Sequence, residues 1–511
     1  MKTVVKTLVA LVAIVAVAIV VARIVFALPE VTDRTDSTAL PPVGTSPLAA
    51  LVQQRWADHP GKTGVAPLGE GAAAFAARML LVNAATSSID AQYYIWHGDL
   101  TGTLLLDALM RAAERGVRVR LLVDDNGTAG LDPELAALNA HENAEVRIYN
   151  PFNLRRFKVL SYGFDFFRLN RRMHNKSLTV DGAATILGGR NIGDEYFDTG
   201  PTALYVDLDV LAVGDIVGEV ADDFDRYWAA RAVHPAGPIV GRAPDDNPIT
   251  ARVERLADDP QLADYRRIVA ESDLIRDLGT GRLGLEWTDV VLVSDDPVKG
   301  QGAVAREDLL ASRLAHAVGR IETRFDGITP YFVPGVAGVR AFETLEDRGV
   351  QVRMLTNSLV ATDVLPVHAG YAKRRRDLLA AGVELFELKR QASVSTPRDK
   401  IGPFGSSGAS LHAKTFAVDG ERIFIGSFNF DPRSTTLNTE MGLLIDSADM
   451  ATRMHAAFDR KFEGVAWEVA LTEGDLSWRS RDAVQAAEPG ATLLKTVALT
   501  VIGWLPVEWL L

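Results

Sequence analysis

Residues 174–191 read HNKSLTVDGAATILGGRN, and residues 412–429 read HAKTFAVDGERIFIGSFN. In both stretches a histidine, a lysine, an aspartate and a closing asparagine stand at the same offsets. The alternation puts His174, Lys176, Leu178 and Val180 on one face of a strand, and Asp181-Gly182 supplies a hairpin turn into ATILGG. His412, Lys414 and Asp419-Gly420 repeat the arrangement before RIFIG. An odd separation between histidine and aspartate takes Asp181 and Asp419 off the histidine face, so both are expected to brace the turn or backbone instead of touching an imidazole. A single strand with His-x-Lys is ordinarily surface decoration or a satisfied core histidine. Two copies reverse that expectation. Lobes related by a pseudo-twofold would bring two imidazoles, two ammonium groups and two asparagine amides to one cleft, a set suited to an anionic phosphoryl centre. One imidazole can attack phosphorus while the other protonates the departing oxygen.

Each copy follows a similar passage. From Ile89, IDAQYYIWHGDLTGTLLLDALMRAAERGVRVRLLVDD reads as a strand, a helix with Leu105, Leu106, Leu109 and Ala113 on one face, and a second strand after Gly116. From Ile321 the chain runs to RGVQVRMLTN, an echo of RGVRVRLLVDD. A repeat of about 200 residues is too long for a solenoid unit and fits a duplicated α/β domain. The reading places the first lobe at 51–240 and the second at 285–480. The connection at 241–284 carries a boundary candidate in HPAGPIVGRAPDDNP (His234–Pro248) and a helical stretch from Ile249 to Leu278.

Composition narrows the chemistry. With 48% hydrophobic and 23% charged residues the chain is globular. A net charge of −12 opposes the broad basic surface that non-specific nucleic-acid binding requires. The absence of cysteine excludes disulfides, thiolate metal sites, cysteine nucleophiles and a lipid-modified N-terminal cysteine. Neither His174 nor His412 has partners at a metal-ligand spacing such as HExxH, so no metal is expected.

Both ends are apolar. Residues 1–28 are uncharged from Thr7 to Ala22 and read as a single-pass transmembrane anchor, extended past Arg23 by IVFAL. A cleaved signal peptide ending at VFA is the alternative, although the run exceeds the roughly 7–15 apolar residues of a signal core. Lys2 and Lys6 against Arg23 and Arg34 give a slight bias toward an exported body. Residues 29–50 carry the Ser, Thr and Pro of a linker. The C-terminal segment, 490–511, has its apolar run broken by Lys495, Pro506 and Glu508, with Trp504 and Trp509 near the end. That composition fits a segment in the headgroup layer, with a tail packed on the body as the alternative. A local reversal of charge appears in FNLRRFKVLSYGFDFFRLNRR (Phe152–Arg172), where six basic and six aromatic residues surround Asp165 alone. It reads as a surface that meets anionic headgroups, or as a solvated basic face over packed aromatics. Lys373–Arg376, KRRR, is a second basic cluster, and His368, Tyr371 and Arg375 could share one helix face near a headgroup.

The pattern H-x-K-x4-D, with GGRN or GSFN after six further residues, resembles the signature of the phospholipase D superfamily and is present twice. The resemblance implies two α/β lobes of mixed sheet flanked by helices, meeting at one active site, with a phosphohistidine intermediate and no metal or other cofactor. Carried onto this chain, it makes His174 the nucleophile and His412 the general acid. Lys176, Lys414, Asn191 and Asn429 would grip the phosphate oxygens, and Asp181 and Asp419 complete the motif. The family also places a downstream acid that orients each imidazole. Glu440 in STTLNTEMGLL fits, and Asp207 in VDLDVL is the first-lobe choice, with Asp209 close enough to compete. YYIWHGDLTG, LTNSLVATDVLPVHAGYAKRRRDLLAAGVELFELK and LPVEWLL further resemble bacterial cardiolipin synthases of the C-type, over the chain from about Leu51 to Leu511. That likeness implies transfer of a phosphatidyl group from phosphatidylethanolamine or phosphatidylglycerol to phosphatidylglycerol, in the bacterial inner membrane, with the lipid bilayer as partner and no nucleic acid. A phospholipase D that uses water is the nearest alternative. A nucleic-acid phosphodiesterase is further away, disfavoured by charge and by both apolar ends. A lipid-binding scaffold without catalysis is at odds with two intact motifs.

Overall fold

The two motif hairpins set the architecture. Asp181 and Gly182 both adopt positive φ, as do Asp419 and Gly420, so each pair forms a tight turn whose twist matches the flanking strands. The amide of Ala183 bonds the Val180 carbonyl across one turn, and that of Glu421 bonds the Val418 carbonyl across the other. In this computed structural model the described residues are 1–31, 34–42, 46–199, 204–272, 284–389, 410–462 and 464–511. Parts of the linker and of the 241–284 connection lie outside them.

The first-lobe strands are β1 (Thr63–Leu68), β2 (Ser88–Ile95), β3 (Arg118–Gly127), β4 (Ala144–Tyr149), β5 (Ser177–Val180), β6 (Ala184–Gly188), β7 (Tyr205–Val206), β8 (Asp209–Gly214), β9 (Val233–Pro235) and β10 (Glu286–Thr288). All but β7 belong to one sheet of order β10-β1-β8-β6-β5-β2-β3-β4-β9. The second lobe contributes β11 (Val290–Ser294), β12 (Arg324–Ile328), β13 (Gln351–Asn357), β14 (Glu384–Leu388), β15 (Ser410–Leu411), β16 (Thr415–Val418), β17 (Arg422–Gly426), β18 (Met441–Asp446), β19 (Ala466–Thr472), β20 (Asp475–Ser480) and β21 (Ala483–Gln485). Its sheet runs β11-β18-β17-β16-β12-β13-β14-β19-β20-β21. The shared middle is the same in both sheets: an antiparallel strand (β1 or β11), the strand after the motif, the hairpin, then three parallel strands. The two sheets are therefore mixed α/β and duplicated in topology. The chain passes from the first sheet to the second at Asp289, between β10 and β11, so β10 belongs with the first lobe and not with a second lobe beginning at 285.

The helix Leu100–Glu114 between β2 and β3 is capped by Asp99, which accepts from the Gly102 amide at 3.0 Å. Its Leu105, Leu106, Leu109 and Ala113 are all buried in the first core. A second cluster lies on the seam. Leu187, Val210 and Ala212 of the first lobe share it with Ile425, Met441 and Leu443 of the second. Each large aliphatic side chain so buried contributes about 1.5–3 kcal/mol, which makes the seam an apolar joint and not a hinge. The two-stranded pairing of β7 with β15 stitches the lobes again beside it.

The linker is laid along the first lobe. Arg34 donates to the Ala230 carbonyl at 2.8 Å, the Thr35 carbonyl accepts from Arg147 at 2.6 Å, and the Ser37 carbonyl accepts from Arg120 at 2.8 Å. The Ala39 amide donates to Asp225 at 2.7 Å. Leu40 to Pro42 then pass so close to the motif turn that a Cβ on Gly182 would lie 2.6 Å from the Leu40 carbonyl oxygen. Ser46 closes the strap by donating to Asp181 at 2.5 Å.

Asp181 thus accepts from Ser46 and from the amides of Thr86, Ser87 and Ser88, while Asp419 accepts from the amides of Glu322, Thr323 and Arg324. Neither touches an imidazole. Burial alone would raise both carboxyls, but these donors hold them below the usual carboxylate range. A depressed folded-state pKa gives stability that is present above the unfolded value and lost as pH falls through the folded one. Asp181→Asn is expected to cost about 1–3 kcal/mol at neutral pH. In thermal melts across pH, the gap from wild type should close only below about pH 4, and a gap constant down to pH 2 would contradict the assignment.

Candidate active site

The His-x-Lys residues sit just before the regular strands, not within them, because β5 begins at Ser177 and β16 at Thr415. Lys176 and Lys414 each curl back to the carbonyl of their own histidine, His174 and His412. All four side chains are nearly buried. Nδ1 of His174 lies 2.7 Å from Glu440 Oε2, and Nδ1 of His412 lies 2.6 Å from Asp207 Oδ2. The pairing crosses the seam: each lobe's carboxylate holds the other lobe's imidazole. Asp209 is elsewhere, taken up by Arg78 at 2.8 Å and by the Arg190 amide at 3.1 Å. With Nδ1 donating to a carboxylate, Nε2 of each ring is left for the cleft.

The asparagines are partly spent internally. Asn191 accepts from the Ile95 amide at 3.2 Å and donates to the Tyr196 hydroxyl at 3.0 Å, leaving one amide N–H. The Asn429 carbonyl accepts from Thr329 at 3.3 Å, leaving its NH2.

The two imidazoles differ electrically. Burial, then Lys176, Lys414 and His412, drive His174 well below the usual imidazole range. Burial and Lys414 lower His412 as well, but the Asp207 charge opposes them. Glu440 is pushed up to about 7, chiefly by burial, against the pull of Lys176. Burial acts on Asp207 too, yet His412, Lys414 and Arg190 hold it below the usual carboxylate range. Of the two imidazoles, His412 is therefore the one whose cationic form is less disfavoured. Burial lowers both lysines, Lys414 to about 8, and bound negative charge would favour their charged form.

The comparisons with known proteins agree with this geometry. The family model for "Cardiolipin synthase, PLD-like domain" matches residues 80–228 and 313–462, one range per lobe. The chain is 47% identical over 472 residues to cardiolipin synthase C of Escherichia coli (strain K12), covering 91% of this chain and 99% of that one. The chain belongs to the cardiolipin synthase family of the phospholipase D superfamily. It is also 26% identical over 406 residues to cardiolipin synthase A of Pseudomonas syringae pv. syringae (strain B728a), covering 79% of this chain and 69% of that one. Among solved structures, phosphatidylserine synthase of Haemophilus influenzae Rd KW20 matches with a TM-score of 0.57 at 15% identity, over 90% of this chain and all of that one, a likeness of fold.

Several side chains at this family site were not singled out from the sequence. The Tyr94 ring packs edge-on against His174 at 5.1 Å, and Tyr196 and Tyr205 pack against His412 at 5.1 and 5.0 Å. Ser427 donates its hydroxyl to Glu440. Tyr94 falls in YYIWHGD and Ser427 in GSFN, so their motifs were visible while their contacts were not. His97, Asp99 and Glu195 carry possible metal-ligand atoms within 4.8 Å of one another. Asp99 is already engaged by the amides of Gly102 and Asp194, and His97 leans on Glu195 at 3.2 Å, so an internal network accounts for the trio.

The basic stretches are a correction. In Phe152–Arg172, Arg155 and Lys158 pair with Asp125, Arg168 with Asp165 and Arg172 with Asp124, while Arg171 donates to the carbonyls of Lys299 and Thr436. These pairs offset part of the segment's positive charge, while Arg156 stays exposed. Lys373 and Arg374 pair with Glu508, and Arg375 is buried between Glu387 and Glu488. His368 donates to the Glu488 carboxylate at 2.8 Å and Tyr371 donates to Glu387, so these residues build the second lobe's interior and are not a headgroup site.

Asp207→Asn removes the charge that supports the His412 imidazolium, so the alkaline limb of the pH–rate profile should move to lower pH and turnover should fall by about 10²-fold or more. A profile unchanged in shape, or moved to higher pH, would show that Asp207 does not act through His412.

Proposed function

We propose that this cardiolipin synthase family member transfers a phosphatidyl group to phosphatidylglycerol through a phosphohistidine at His174, with phosphatidylethanolamine or phosphatidylglycerol as donor. The observation that carries the reading is the crossed pair of carboxylates, Glu440 on Nδ1 of His174 and Asp207 on Nδ1 of His412, which leaves Nε2 of each ring for the phosphoryl group. His174 Nε2 attacks phosphorus, and the bond to the headgroup oxygen breaks as His412 gives that oxygen its proton. His412 is then a neutral base. It removes the proton of the incoming glycerol hydroxyl, whose oxygen attacks phosphorus and releases His174. Lys176, Lys414 and the free amide N–H groups of Asn191 and Asn429 bind the non-bridging oxygens, and the buried setting strengthens those contacts. This sequence of steps needs no metal.

The bilayer side of the reading rests on the apolar segments. The helix Lys2–Val25 is long and apolar enough to cross a membrane, with a mean hydropathy of 3.1. Its rise of about 36 Å exceeds the roughly 30 Å hydrocarbon layer. We read it as a single-pass anchor in the bacterial inner membrane. Its end rests on the helix Lys158–Leu169, where Arg23 donates to the Phe164 carbonyl at 2.7 Å. That helix exposes Phe157, Val159, Leu160 and Phe167, with Val159 79% exposed. The helix Leu493–Trp504 exposes Leu493, Leu494, Val497, Val501 and Trp504. Arg433 joins the two regions, bonding the Asn170 carbonyl beyond the first helix and the Leu510 and Leu511 carbonyls beyond the second. Apolar contact then adds to the positive charge that remains unpaired in Phe152–Arg172 in holding this rim to lipid.

With purified full-length protein, phosphatidylglycerol alone or with phosphatidylethanolamine should yield cardiolipin together with glycerol or ethanolamine. Phosphatidic acid alone would establish a hydrolase, and cleavage of a DNA diester alone a nuclease. His174→Ala should abolish labelling by a phosphatidyl donor, whereas His412→Asn should slow turnover by about 10²–10⁴-fold and let the adduct accumulate on the His174 peptide. Mass spectrometry after acid-free quenching reads this directly, and an adduct on His412 would reverse the roles. Phe157→Ser with Leu160→Ser should weaken vesicle activity severalfold while sparing activity on short-chain lipid monomers. Equal loss on both would place these residues in folding instead of membrane contact.

A further inference from the structure

One carboxylate at the cleft is out of keeping with a pocket made for phosphate. Asp363, between β13 and the helix Leu365–Ala380, is exposed. Its Oδ2 accepts from the Tyr331 hydroxyl at 2.8 Å and from the Tyr205 hydroxyl at 3.4 Å. Tyr331 belongs to the second lobe and Tyr205 to β7 of the first, so the cluster spans the seam. The same Tyr205 ring packs 5.0 Å from the His412 imidazole, which puts Asp363 one residue away from the group that protonates the leaving oxygen. Among the described residues no lysine or arginine forms an ion pair with Asp363.

The Asp363 charge acts on the buried Lys414 ammonium, but no cation among the described residues pairs with it, so the carboxylate repels an anionic headgroup and favours a cationic one. A primary ammonium carries three N–H donors. The Asp363 carboxylate and the two phenol oxygens offer acceptors on one side of the cleft. Both phenols keep their protons because burial, with Asp363 adding to it, raises them above the ordinary tyrosine range. Each therefore donates to Asp363 and keeps lone pairs for an incoming N–H. The aromatic rings add a surface that favours cations.

We propose that Asp363, Tyr331 and Tyr205 form a subsite for the primary ammonium of the donor lipid's leaving headgroup, so that a two-carbon aminoalcohol departs on the His412 side. This rests on the transferase reading above, in which His412 is the acid. The subsite selects the donor in the first half-reaction, and these residues position the headgroup without touching phosphorus.

The test uses the full chain in mixed micelles and follows headgroup release in the first turnover, from phosphatidylethanolamine and from phosphatidylglycerol of matched acyl chains. Wild type should favour ethanolamine release. Asp363→Asn should lower kcat/KM for the ethanolamine donor by about tenfold or more while changing the glycerol donor less than about threefold, since a charge-assisted contact is lost only in the first case. Tyr331→Phe should move the ratio in the same direction by less, and Asp363→Glu should restore part of it. Stepwise N-methylation of the donor should erase the wild-type preference. An equal fall for both donors in Asp363→Asn, or an unchanged ratio, would make the cluster a clasp between lobes and overturn the proposal. Release of neither headgroup by wild type would instead overturn the transferase reading.

Discussion

Two hydrogen bonds across the lobe seam, Glu440 to His174 and Asp207 to His412, are the constraint on which the site depends. Each motif carries its own histidine, lysine and asparagine, but neither carries the acid that orients its own ring. A lobe separated from its partner would hold a buried imidazole with no carboxylate on Nδ1, and nothing to set which nitrogen bears the proton. The apolar contacts of β6 and β8 with β17 and β18 keep the seam closed, so packing energy is converted into the placement of two protons. Duplication alone does not make this site; docking of the copies does.

The same crossing explains why matching motifs need not behave alike. Asp207 sits among His412, Lys414 and Arg190 and stays charged. Glu440 sits deeper in effect, with its backbone amide on Asp295 at 3.0 Å and the Ser427 hydroxyl on its carboxyl. Identical spacing in the sequence thus meets different surroundings, and a symmetric pair of histidines becomes electrically asymmetric. Two buried lysines add positive charge that has no carboxylate within ion-pair distance among the described residues, which suits a phosphate as the missing counter-ion.

Period-two alternation around Asp-Gly turns made the hairpins legible, and the echoing helix-strand passages made the duplication legible, because both are local patterns. The family signature brought the site residues with it. What stayed hidden was non-local. Glu440 and Asp207 came with the resemblance as orienting acids, but not which ring each holds: their partners lie 266 and 205 residues away, in the other lobe, and no spacing rule reaches that far. Counting charges in Phe152–Arg172 overstated its attraction for headgroups, since Asp124, Asp125 and Asp165 offset part of its positive charge and two of these lie outside the segment. Likewise the Ser, Thr and Pro of the linker read as a tether, but Arg120, Arg147 and Asp225 supply partners that only the fold brings near.

That strap has a consequence for how substrate is found. A catalytic body on a slack tether would sweep a volume above the bilayer and meet lipid by repeated landing. Here the chain after the anchor is bound along the first lobe until Ser46 reaches Asp181, and Arg23 pins the anchor's end to the aromatic helix. Hydrogen bonds along the strap therefore restrain how the body can sit relative to the helix Lys2–Val25. The search becomes a two-dimensional one, in which the flux of substrate into the cleft follows the mole fraction of each lipid in one leaflet and its lateral diffusion, and is indifferent to how much membrane the cell contains.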